Sequence, residues 1–126
     1  MALKGLKILV ADDEPDEQDY IANVLEDAGA TVLRANTGDD ALKIAEREQP
    51  DAVTLDITMP GMDAFHVMDA LQKNGYRRDM RICIISGRPE LRRVLTDKFP
   101  SKTLGFVDKP FTREMLLAGM EGLFGV

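Results

Sequence analysis

The residues able to do chemistry stand in a recurring place, directly behind short apolar runs. Asp12-Asp13-Glu14 follows Leu6 to Ala11, Asp56 follows Ala52 to Leu55, Ser86 follows Arg81 to Ile85, and Asp108-Lys109-Pro110 follows Leu104 to Val107. Only the run Thr31 to Ala35 ends blandly, in Asn36. If these runs are parallel strands of one sheet, their carboxyl ends deliver carboxylates, a hydroxyl and an ammonium to a common edge. That edge is where open α/β sheets bind ligands.

Carboxylates gathered in this way repel one another, and either a retained proton or a cation must relieve them. Oxygen ligands with no His or Cys nearby suit a hard ion, Mg²⁺ or a relative such as Mn²⁺. Such an ion uses few protein carboxylates and leaves coordination free for a phosphoryl oxygen. Asp56 then has the makings of a nucleophile that forms an acyl phosphate. Phosphoryl transfer needs chiefly positioning and charge neutralisation, to which Lys109 adds a mobile positive charge and Ser86 a hydroxyl donor.

Each residue also has a plainer reading. The six acids between positions 12 and 19 would favour a helix N-terminus with no function at all. Asp56, ahead of Met59-Pro60-Gly61, fits a turn. Lys109 alone fits a solvated surface, and Ser86 alone a loop or cap. Their joint arrangement is what favours the site.

The intervening segments must position these groups. Ile21, Val24, Leu25 and Ala28 form a helical stripe closed by Gly29. Thr37 is placed to cap a helix through about Glu48, with Ala41, Leu42 and Ala45 inward. Asp63 is placed to cap a third helix carrying Phe65, Met68 and Leu71, with Gly75 as its stop. A shorter helix with Leu91, Val94 and Leu95 ends before Pro100, and Thr112 starts a last one holding Met115, Leu116, Met120 and Leu123. Five strands alternating with five helices predict a doubly wound α/β sheet covered on both faces.

Composition narrows the function. At 126 residues, 44% hydrophobic and 30% charged, the chain is expected to be one folded domain. A formal net charge of −6 argues against gripping nucleic-acid phosphates as the main task. The apolar runs are too short for a membrane span, and Met1 to Lys7 lacks a secretion signal. The lone Cys83 excludes an internal disulfide and fits a reducing cytoplasm. Cys83 is expected in the core, and His66 on a helix surface or partly buried rather than as a second phosphate carrier. Arg77, Arg78, Arg81, Arg88, Arg92 and Arg93 form a basic region around the fourth strand, either a solvated face or a contact for an acidic partner helix.

Four blocks taken together resemble the receiver domain of two-component response regulators. They are Asp12-Asp13, then Leu55-Asp56 with Met59-Pro60-Gly61-Met62-Asp63, then Ile84-Ile85-Ser86, then Phe106 through Phe111. The resemblance covers essentially the whole chain. It implies a flavodoxin-like, five-stranded parallel sheet in the order 2-1-3-4-5. Asp56 would accept a phosphoryl group from a phosphohistidine on a partner histidine kinase or histidine phosphotransfer protein. Asp12, Asp13 and Asp56 would hold Mg²⁺ with the backbone carbonyl of Thr58, Mn²⁺ being a substitute. Lys109 would pair with the phosphoryl group, and Lys109-Pro110 would be a cis peptide. Ser86 and Phe106 would form the switch pair that alters the surface of the fourth helix, fifth strand and fifth helix. That surface would reach a downstream protein or form a homodimer, with no direct nucleic-acid or membrane contact. Thr58 and Arg88 stand where the family tunes acyl-phosphate lifetime, and Arg88 is expected near the phosphoryl group.

Two positions depart from the usual family pattern: Ala64 replaces a glycine, and Ser86 stands for a threonine with its hydroxyl kept. The resemblance makes the chain a signalling phosphoacceptor that promotes only its own phosphoryl transfer and dephosphorylation, with no output domain. It would be a stand-alone receiver or a piece of a longer protein. A flavin or nucleotide binder on this fold would need a phosphate cradle where Asp12-Asp13-Glu14-Pro15 stands. An aspartate-based phosphatase would want a second acid at position 58 and a cap domain. A phosphorylation-independent interaction module would have no use for the acids, Ser86 and Lys109.

Overall fold

The computed structural model describes residues 2–57, 64–71, 73, 79–99 and 103–125. Its elements alternate as β1 (Lys7–Ala11), α1 (Pro15–Asp27), β2 (Thr31–Ala35), α2 (Gly38–Glu48), β3 (Ala52–Asp56), α3 (Ala64–Leu71), β4 (Arg81–Ser86), α4 (Glu90–Lys98), β5 (Leu104–Asp108) and α5 (Arg113–Phe124). All strand pairs are parallel, in the order β2-β1-β3-β4-β5. The expected order holds. The expected cap at Asp63 and stop at Gly75 lie outside the described residues, as do Thr58, Arg77 and Arg78.

Period-two alternation divides the strands' side chains between two cores. Leu9, Ala11, Val53, Leu55, Ile82 and Ile84 pack with residues of α2, α3 and α4. Ile8, Val10, Ala52, Cys83, Ile85 and Val107 pack with α1 and α5. Each fully buried aliphatic side chain contributes about 1.5–3 kcal/mol, so both faces of the sheet are firmly covered. Cys83 is fully buried, and burial pushes its thiol up to about 12. His66 is exposed on α3.

Local signals account for the helix ends. The Thr37 hydroxyl accepts from the Asp40 amide, and the Thr112 hydroxyl from the Met115 amide. After α1, Gly29 takes φ +103°, and a Cβ there would stand 2.9 Å from the Lys4 backbone. Gly119 lets α5 lie close on β5, since a Cβ would meet Val107 at 2.8 Å.

Two residues of the apolar helix sets point outward: Val94 is 46% and Met115 44% exposed. In each helix the inward stripe runs through the neighbour instead, Leu91 and Leu95 in α4, Leu116 and Met120 in α5. Spacing of four residues keeps those pairs on one face, and the residue just before turns about 100° away.

Candidate functional site

Parallel register aligns the strand ends. Ala11 pairs with Ala35 and Leu55, Asp56 with Ile85, and Ser86 with Asp108. Asp12, Asp56, Ser86 and Lys109 therefore emerge along one edge. The backbone amide of Lys109 donates to the Ser86 carbonyl at 2.8 Å, tying the β5 exit to the β4 exit.

At this edge Lys109 Nζ lies 2.8 Å from Asp56 Oδ2 and 3.0 Å from Glu17 Oε2. One carboxylate oxygen each from Asp12, Glu17 and Asp56 falls within 4.8 Å of the other two. Asp12 is fully buried and Asp56 only 3% exposed. Asp12 Oδ1 accepts from the Glu14 amide at 2.9 Å, whereas Oδ2 has no hydrogen-bond donor among the described residues.

The charges explain the titration. Burial raises the Asp12 carboxyl, against a hydrogen bond with Glu17 that lowers it. Glu17 is pushed up to about 8, by burial first and then by its hydrogen bonds with Asp12 and Asp56. A proton held on Glu17 lessens the repulsion among the crowded acids when no cation is there. Burial pulls Lys109 down, but its hydrogen bonds with Asp56 and Glu17 more than reverse this, and its ammonium is raised overall.

The α1 N-terminus sets this geometry. Glu14 caps the helix by accepting from the Asp16 amide at 3.1 Å, and Pro15 starts it. The Gln18 side-chain amide Nε2, buried one turn in, donates to the Asp12 carbonyl at 2.9 Å and the Ala35 carbonyl at 3.1 Å. The β1–α1 connection is thereby held to the end of β2.

Other expected residues surround this cluster. Asp13 is exposed and stands outside the group of three. Arg88 points to the surface, where its Nε meets Glu90 Oε1 at 2.9 Å. The Ser86 hydroxyl, buried, accepts from the Arg88 amide at 2.8 Å. Phe106 is half-buried, with the Arg92 guanidinium 5.2 Å from its ring centroid and hydrogen-bonded to Asp108 at 3.0 Å. The Lys109-Pro110 bond is cis. Beside the acids a groove of about 620 Å³ is lined by Asp16, Glu17, Tyr20, Lys109, Pro110 and Phe111.

Glu17 and Gln18 are the contributors that spacing along the strands does not reveal. Their signal lies in α1: Glu17 is four residues before Ile21 and eight before Leu25, so it extends the buried stripe one turn back. A helix packed on the sheet by that stripe must aim position 17 at the strand ends.

A buried carboxylate oxygen with no donor, inside an all-oxygen set, fits a hard divalent ion. Among the described residues no helix is long and apolar enough to cross a membrane. Several known proteins are similar to this chain along most of its length. Protein PilH of Pseudomonas aeruginosa is 33% identical over 114 residues, covering 88% of this chain and 91% of the relative. The heme response regulator HssR of Staphylococcus aureus is 34% identical over 115 residues, 89% of this chain but 48% of that longer protein. Among solved structures, the chemotaxis response regulator CheY4 of Vibrio cholerae superposes with a TM-score of 0.82 at 25% identity, over 94% of this chain and 98% of that one. TrrA of Thermotoga maritima, a response regulator solved in complex with Mg²⁺ and BeF, gives 0.80 at 28% identity, with the same 94% and 98% coverage. Residues 8–121 match the response regulator receiver domain, and the chain belongs to that family of two-component signalling proteins.

Proposed function

We propose that this chain is a cytoplasmic switch operated by phosphorylation of Asp56. The observation that carries the reading is the pairing of Asp56, at the end of β3, with Lys109 inside a buried acid cluster. The donor is a phosphohistidine on a histidine kinase or a histidine phosphotransfer protein. An Asp56 carboxylate oxygen attacks phosphorus, the phosphorus–nitrogen bond breaks, and its electron pair returns to the donor imidazole. Asp12 and Asp56 would hold the divalent ion from within and Asp13 from the exposed rim, with Thr58 adding its carbonyl. A bound Mg²⁺ or Mn²⁺ supplies charge neutralisation for the phosphoryl oxygens.

Lys109, already hydrogen-bonded to Asp56, pairs with the transferred group. Ser86 exchanges its bond with the Arg88 amide for one to the phosphoryl group, and Phe106 turns inward away from Arg92. The two packings differ in the surface of α4, β5 and α5, and one added charge biases the population between them. That surface then binds a downstream protein or a second copy. The groove at Tyr20 and Phe111 opens beside Lys109 and supports docking of the phosphodonor there.

Incubation with Mg²⁺ and a small phosphoryl donor should raise the intact mass of the wild type by one phosphoryl group. Asp56→Asn should stay unmodified. Equal modification of both proteins, or of neither, would overturn the assignment and leave an interaction module on the same fold.

A further inference from the structure

We infer that Glu17 is an additional carboxylate ligand for the divalent ion of this site, and that it holds Lys109 when the ion is absent. The inference rests on the reading of the acid cluster as a cation site. Three observations carry it. Glu17 places an oxygen within 4.8 Å of oxygens from both Asp12 and Asp56, a spacing that one ion can span. Asp12 Oδ2, on a fully buried residue, lacks a hydrogen-bond donor among the described residues. Glu17 Oε2 is 3.0 Å from Lys109 Nζ, which also reaches Asp56 at 2.8 Å.

The same two carboxylates therefore face the ammonium and the cation position. A divalent charge between Asp12, Glu17 and Asp56 competes with Lys109 for Glu17. It leaves Lys109 to serve Asp56 and whatever Asp56 carries. Position 17 is fixed for this task by the α1 stripe, because Ile21 and Leu25 on the same helical face are fully buried. The exposed acids of that segment, Asp13, Glu14, Asp16 and Asp19, lie off the stripe.

Mn²⁺ binding, read from the free-ion electron paramagnetic resonance signal, tests this without any phosphoryl transfer. The comparison uses the wild type, Glu17→Gln, Asp56→Asn and Glu114→Gln. The last removes the same charge from an exposed position on α5. Loss of a ligand carboxylate should weaken Mn²⁺ in Glu17→Gln by at least about 10-fold, while Glu114→Gln binds as the wild type does. Glu17→Gln keeps the side chain's size and should melt no lower than the wild type in chelator, so a folding defect is separable. Wild-type affinity or tighter binding in Glu17→Gln, or equal weakening in Glu114→Gln, would overturn the role of Glu17 and leave the phosphoacceptor reading standing. A wild type that binds no Mn²⁺ would instead defeat the cation site itself.

Discussion

The two ends of the sheet use the same side-chain chemistry to different effect. At the amino end, Lys7 Nζ meets Glu48 Oε1 at 3.5 Å, and the Lys7 amide takes Asp51 Oδ2 at 2.8 Å. Both members of that ion pair keep 30–40% exposure or so, as 40% and 31% of their side-chain surface is open. At the carboxyl end, the Lys109 side chain is 23% exposed and that of Asp56 4%, and one ammonium faces Asp56 and Glu17, whose oxygens lie within 4.8 Å of one from Asp12. The amino end balances its charge and lets water do the rest, whereas the carboxyl end buries a surplus of negative charge. An excess of buried acids over cations marks a place where a cation or a new covalent charge acts strongly.

The largest difference between the ends should appear on removing each lysine. Lys109→Ala should slow phosphorylation by a small donor about 100-fold, the usual cost of losing one preorganised charge. Lys7→Ala should leave the rate unchanged. Comparable losses in a mass-based time course would erase the contrast.

The pH dependence of stability sharpens it further. Glu17 has its carboxyl raised from 4.5 to about 8 in the folded protein, so the folded state holds a proton that the unfolded chain has released. Its contribution is complete below pH 4.5 and is lost as pH rises through 8. Asp12 acts in the same direction, since its carboxyl is also raised. Lys109, raised from 10.5, loses its contribution only above that range. Metal-free protein should therefore melt at least about 3 °C lower at pH 8 than at pH 5, the equivalent of roughly 1 kcal/mol. Glu17→Gln or saturating Mg²⁺ should flatten the slope, and a rise in melting temperature over that interval would contradict the buried acid. The smallest effect belongs to the amino end, where Glu48→Gln should leave the chemical-denaturation midpoint close to that of the wild type.

What could be read ahead of the structure follows from which information is local. Strand ends are local: a buried parallel strand shows as an apolar run, so Asp12, Asp56, Ser86 and Lys109 could be assigned to one edge from their neighbours alone. Helix caps were equally legible at Thr37 and Thr112, whose hydroxyls bond the backbone as their types suggest. Glu17 is undistinguished among six acids in the sequence because its place beside Asp56 and Lys109 depends on how α1 rolls against the sheet. Only the continuation of the Ile21–Leu25 stripe carries that information. Neighbouring backbone positions need not send their side chains the same way: Asp13 is exposed beside the buried Asp12, and Arg88 turns to Glu90.

If Asp56 is the phosphoacceptor, the phosphoryl group lands on this buried aspartate and on no other acid that shares its edge. Borohydride reduction of the phosphorylated wild type converts an aspartyl phosphate to homoserine, which peptide mass mapping locates. Homoserine is expected at position 56 alone. A reduced residue at 12, 13 or 17, with Asp56 intact, would contradict it.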